Sequence, residues 1–105
     1  MQRGFFSAHG NYFGGYFEID GKHHPFAGKF DQFVEDLAVR AVNIEYDNVE
    51  DLKGVYTIGP RARLHPLLIP LEKGSIKLRI IVYVRGLSES SHEVPITGQL
   101  AWLPE

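Results

Sequence analysis

The chain has 105 residues, 44% of them apolar and 23% charged, with a formal net charge of −2 and no cysteine. That size and apolar content describe a single folded domain, 1–105, and exclude a disordered chain. The missing cysteine excludes a disulfide scaffold, a thiolate-held zinc or iron–sulfur site and a thiol nucleophile. No apolar run reaches the roughly 18 residues of a membrane-spanning helix, and Met-Gln-Arg-Gly is not followed by a secretory apolar stretch, so a soluble, unprocessed cytoplasmic product is expected.

All seven Phe lie in the first 33 residues (Phe5, Phe6, Phe13, Phe17, Phe26, Phe30 and Phe33), whereas Leu, Ile and Val crowd into the last two thirds. One core needs both sets, so the aromatic segment should pack across an aliphatic sheet. The Gly10-Asn11-Tyr12-Phe13-Gly14-Gly15 run lacks the Lys-Ser/Thr of a phosphate loop and reads as a turn or bulge between two aromatic strands. Tyr16–Ile19 and Lys22–Phe26 then flank Asp20-Gly21, the signature of a two-residue hairpin whose turn demands positive φ.

Phe30, Phe33, Val34, Leu37, Ala38 and Ala41 recur at helical spacing behind Asp31, a suitable N-cap. This predicts a helix near 31–38 passing into a strand near 40–46; the rival is an all-strand segment 33–46. Val55–Ile58 is a short strand. Arg63–Leu71 is apolar, but Pro66 and Pro70 remove two ladder donors, which assigns it to an edge or an extended loop. Ile76, Leu78, Ile80, Val82 and Val84 alternate with Lys77, Arg79, Ile81, Tyr83 and Arg85, giving a long central strand over 76–85. Leu87–Glu93 reads as a surface loop, and Gly98–Leu103 as a last strand. The fold expected is mainly β: an antiparallel β-sandwich or partly open small barrel of about six to eight strands with one short helix. The alternative is α+β with a longer helix at 31–41.

No motif assembles a catalytic or metal site. His23 and His24 are adjacent, so on a strand they point to opposite faces and cannot chelate one ion. Ser88, Ser90, Ser91, His92 and Glu93 contain the letters of a hydrolytic triad without a nucleophile elbow. No catalytic residue, metal ligand or cofactor is therefore assigned. The charge pattern is more informative. Residues 31–51 carry seven carboxylates against Arg40, and residues 53–85 carry seven cations against Glu72. Lys77, Arg79, Tyr83 and Arg85 share one strand face, and Arg61, Arg63 and His65 share a face of the preceding segment. If those runs are neighbours, they form one basic patch. The opposed blocks also allow internal pairing, or head-to-tail association into a homo-oligomer.

The function expected is a small non-catalytic protein-interaction module of inhibitor, immunity or adaptor type. Its acidic partner would be met by Arg61, Arg63, Lys77, Arg79, Tyr83 and Arg85. Exchanging Arg79 and Arg85 for Glu should then abolish capture without lowering the melting temperature. A second reading is binding of single-stranded nucleic acid or a phosphate ligand, with Tyr83 and Tyr56 as stacking surfaces. A third is a histidine-based enzyme or sugar-binding domain built on His9, His23, His24 and Trp102, which requires histidines and a carboxylate to converge.

Overall fold

Asp20 and Gly21 turn the chain as their types require. Both have positive φ, 51° and 81°, in a two-residue loop that pairs Ile19 with Lys22. In this computed structural model, which describes residues 2–31, 36–59, 63–64, 67–83 and 97–103, that hairpin joins β2 (Tyr12–Ile19) to β3 (Lys22–Phe30). β1 (Gln2–His9) precedes them and pairs with β2 along its whole length through a tight turn at Gly10 and Asn11. The chain continues through β4 (Leu37–Val39), β5 (Val42–Glu45), a single 3-10 turn at Val49–Asp51, β6 (Gly54–Ile58), β7 (Arg63–Leu64), β8 (Leu67–Lys73), β9 (Ile76–Val82) and β10 (Gly98–Trp102).

All strand pairs are antiparallel, and they form one sheet in the order β4-β1-β2-β3-β10-β6-β8-β9-β5, with β7 beside β8. Its two end strands, β4 and β5, are separated in the chain only by Arg40 and Ala41. The backbone bends sharply there, Val42 N–H donating to Arg40 C=O at 3.0 Å, so one short segment bonds β1 on one side and β9 on the other. That bend brings the sheet's ends together into a nearly closed barrel. The mainly β, partly open barrel reading holds, with a single curled sheet rather than two stacked ones.

Among the described residues, the side chains facing the barrel's interior pack together. Phe6, Phe13, Phe17, Phe26 and Phe30 line one side and Tyr56, Ile69, Leu71, Ile80, Val82 and Leu100 the other, in one cluster. Phe13 stacks on Phe30 with ring centroids 4.4 Å apart, and Phe26 meets Trp102 edge-on at 5.5 Å. Full burial of each such side chain is worth roughly 1.5–3 kcal/mol. Aromatic N-terminal and aliphatic C-terminal segments thus share one core. Gly15 lies where β2 crosses closest to β1: a Cβ there would sit 1.9 Å from the Phe5 carbonyl oxygen.

Two expectations about elements are corrected. Leu37–Val39 is strand, laddered to Phe6–Ala8, so the helix over 31–38, and with it the longer helix at 31–41, is not formed at these residues. Residues 32–35 lie outside the described residues. Leu37 and Val39, two residues apart, share one strand face, and pairing with β1 selects the strand over the helical spacing of Leu37, Ala38 and Ala41. Pro66 lies outside the described residues, but Pro70 does not confine its segment to an edge: β8 is laddered to β9 along its length and to β6 at Leu71 and Glu72. Gly59 N–H donates to Pro70 C=O at 2.8 Å just past the end of β6. Amide and carbonyl of one residue point the same way in an antiparallel strand, so the missing Pro70 N–H removes one bond at the end of the pairing with β6 and none to β9. β9 keeps its alternation, with Leu78, Ile80 and Val82 buried and Lys77 and Arg79 exposed; Tyr83 follows the strand's end. Among the described residues, no helix is long and apolar enough to cross a membrane.

Candidate functional site

The residues expected to form a basic patch are only partly brought together. Arg61 and Arg85 lie outside the described residues, and Arg63 belongs to β7, which is separated from β9 by β8. The two basic runs are therefore not direct neighbours. Lys77, Arg79 and Tyr83 are exposed on the outer side of β9 and its end. Across the ladders, Lys77 is paired with Glu72 and Arg79 with Glu45, and the Arg79 guanidinium bonds the Glu45 carboxylate. A cavity of about 470 Å³ on this side is lined by Glu45, Asp47, Lys77 and Arg79, with Tyr46 and Pro70. Carboxylates match the cations here, so the described part of this surface is mixed in charge rather than basic.

The remaining candidates separate just as clearly. Tyr56 has no exposed surface, and its hydroxyl donates to Asp51 C=O at 2.5 Å, which removes it as a stacking platform. Burial, aided by the Asp51 charge, holds its hydroxyl pKa above the ordinary tyrosine value. Trp102 is buried too. His9 and His23 lie at opposite ends of the outer face of β1–β3, and His24 points the other way from His23, in register with buried Phe17. They do not converge, and among the described residues no group of His, Asp or Glu is arranged to hold a metal ion. At the β1–β2 turn, Asp36 accepts from Gly10 N–H at 3.2 Å and lies 2.9 Å from His9 Nδ1. These two contacts hold its carboxyl below the usual aspartate pKa.

The surface that stands out is the outside of β1, β2, β3, β10 and β6. Outward residues in register across these strands form parallel rows. One row runs Phe5, Tyr16 and Pro25, continued by Leu103, whose N–H donates to Pro25 C=O at 2.9 Å. The next runs Ser7, Gly14, Ala27, Ala101 and Val55. Polar rows flank the pair, Arg3, Glu18 and His23 on one side and His9, Tyr12, Lys29, Gln99 and Thr57 on the other. Within the pair of rows Val55 is 59% exposed, Leu103 45% and Ala27 exposed, while Phe5, Tyr16, Pro25 and Ala101 are half-buried. An antiparallel sheet normally turns polar side chains to water; here a low apolar trough with an aromatic wall crosses five strands.

The residues of this face were not singled out by periodicity, which assigns one parity of each strand to the core and the other to solvent. A signal was present nonetheless. In Tyr12-Phe13-Gly14-Gly15-Tyr16-Phe17 and in Leu100-Ala101-Trp102-Leu103 the apolar residues occupy both parities, the mark of a strand covered on both faces.

At the upper corner of the same face, a cavity of about 450 Å³ opens beside the bend between β4 and β5, lined by Arg3, Gly4, Tyr16, Glu18, Arg40 and Val42. The Arg40 guanidinium lies over the Phe5 ring, 5.5 Å from its centroid. Tyr16 packs against His23 at 4.7 Å, and His23 Nδ1 is 3.9 Å from Glu18. No family model, curated protein or solved structure matches the chain, so these side chains and their surroundings carry the functional argument.

Proposed function

We propose that this protein is a non-catalytic interaction module, of the inhibitor, immunity or adaptor kind, that holds an acidic protein partner against the outer face of β1, β2, β3, β10 and β6. The observation that carries the reading is the two-row apolar band, bordered on both sides by charged and polar rows. An apolar centre inside a polar rim is the anatomy of a protein contact surface, and contiguous exposed apolar area is uncommon where nothing binds. This reading moves the contact from the outer side of β9 to another part of the barrel's outer surface. A cysteine-free chain suits the cytoplasm.

The test is site-specific photo-crosslinking in extract of the native host. A benzophenone side chain is placed at Ala27 or Ala101 on the apolar band, and at Lys77 on β9 as the control. The expected result is one defined protein adduct from Ala27 and Ala101, none from Lys77, and loss of the adduct when exposed Val55 is changed to Arg. Equal adducts from both faces, nuclease-sensitive adducts, or adducts only to a second copy of the chain would overturn the reading.

A further inference from the structure

We infer that the cavity at the bend between β4 and β5 is a carboxylate-binding pocket, the point at which an acidic segment of the partner is anchored to the apolar face. The inference rests on the protein-binding reading and names the chemistry at one of its corners.

The pocket is built by the closure of the barrel. β1 is laddered to β4 only at Phe6, Ser7 and Ala8, so Arg3, Gly4 and Phe5 extend beyond that ladder. Arg40 is the first residue past β4, and it turns over Phe5 as the chain bends into β5. The fold thereby sets two arginines from distant parts of the chain around one cavity of about 450 Å³. Both arginines are exposed, and among the described residues neither forms an ion pair. Glu18 lines the same cavity, is the register partner of Arg3, and lies 3.9 Å from His23 Nδ1. The cations outnumber the carboxylate, and the Tyr16 side chain adds an aromatic wall bearing a hydroxyl.

A guanidinium presents a planar fork of donors that fits a carboxylate in bidentate fashion, and stacking on an aromatic ring holds it in place without using those donors. Arg40 over Phe5 is poised in this manner. A phosphate has complementary charge, yet it would leave the adjoining apolar row of Phe5, Tyr16 and Pro25 uncovered. A long nucleic acid needs more cations than the two arginines set here beside Glu18 on a chain of net charge −2. An acidic polypeptide segment uses both halves: its carboxylates meet Arg3 and Arg40, and its apolar side chains continue onto the trough.

The experiment is amide chemical-shift titration of the full chain with three probes: a short peptide alternating glutamate and leucine, its lysine–leucine counterpart, and inorganic phosphate. The glutamate peptide should shift Arg3, Tyr16 and Arg40 and their neighbours. Its apparent Kd should rise about tenfold with Arg3→Gln or Arg40→Gln, and stay unchanged with Lys77→Gln. Unchanged melting temperatures in the exposed-arginine variants keep a binding loss separate from unfolding. Equal shifts from phosphate, binding of the lysine peptide at the same residues, or unaltered affinity in both arginine variants would overturn the pocket. If glutamate peptide binding fails while Ala27 still crosslinks its partner, the pocket is wrong and the contact face stands. If the crosslinks fail as well, the face itself is wrong.

Discussion

Arg79 directs both Nε and Nη2 at one carboxylate oxygen of Glu45, its register partner across β9 and β5, with Nε 3.1 Å away. The acidic and basic blocks of the sequence thus meet inside the fold at this point, and Arg79 is committed to a neighbour in its own sheet. Both side chains are about half exposed, so water and salt reduce the value of the pair to roughly 0.5–1 kcal/mol. Arg79→Glu sets like charges opposite each other and should lower the melting temperature by several degrees, contrary to the neutral effect expected from the sequence. Combining Arg79→Glu with Glu45→Arg should restore most of the loss. Thermal denaturation of the four chains at low and high salt checks this, and an unchanged midpoint in Arg79→Glu would refute the pairing.

Adjacent glycines in β2 should respond in opposite ways. Gly15 faces inward against backbone, where an added Cβ meets the Phe5 carbonyl oxygen at 1.9 Å, and backbone cannot yield cheaply. At Gly14 on the outer trough the nearest atom is the Phe26 carbonyl oxygen at 3.2 Å, a contact a small shift relieves. Gly15→Ala should cost at least about 3 kcal/mol or prevent folding, and Gly14→Ala under about 1 kcal/mol. Urea denaturation of both variants measures the contrast.

Asp36 makes stability sensitive to acid. Its carboxyl pKa is held down in the folded chain by Gly10 N–H and then by His9, so its contribution is complete above the ordinary aspartate range and is lost as pH falls through the lowered folded value. Asp36→Asn should therefore melt below wild type at neutral pH, and the gap should close as the pH is lowered past the carboxylate range. A gap independent of pH would show that the carboxylate at the β1–β2 turn is not the cause.

Tyr56 gives the opposite sign at the alkaline end. Its raised hydroxyl pKa means that the folded chain retains the proton more tightly than the unfolded one. The associated stability is present below the ordinary tyrosine pKa and is lost as pH rises through the folded value. Absorbance titration should show one tyrosine ionising after the others, together with unfolding, and Tyr56→Phe should remove that late step. The same variant loses the hydrogen bond to Asp51 C=O and should be about 1 kcal/mol less stable at neutral pH.

On the outer band, Ala101→Arg should leave stability within about 0.5 kcal/mol of wild type, because the side chain points away from the core. It should nevertheless abolish the crosslink from Ala27. Retention of the adduct in a folded Ala101→Arg chain would move the contact elsewhere.

The local elements were largely readable. Asp20-Gly21 specified its turn because few residue pairs accept positive φ twice, and Ile76–Val82 displayed its buried parity because side chains on a strand alternate. Leu37–Val39 was ambiguous: helical and strand periods coincide over so few residues, and the ladder to Phe6–Ala8 resolved them. Pro70 misled because the loss is one bond: its carbonyl still accepts from Gly59 N–H, and its neighbours keep β8 laddered to β6 and β9.

The site was much less legible than the fold. Composition and alternation settled that this is a cysteine-free, mainly antiparallel β chain with an aromatic and aliphatic core, since these are properties of residues and their immediate neighbours. The sequence also carried the two opposed charge blocks, but not their meaning. Whether Arg79 is spent on Glu45, whether Arg3 and Arg40 share a pocket, and whether Leu103 joins the row of Phe5, Tyr16 and Pro25 all depend on contacts between strands far apart in the chain. Those placements come from long-range packing, β10 beside β3 and the bend at Arg40 and Ala41 between β1 and β9, which no local period encodes.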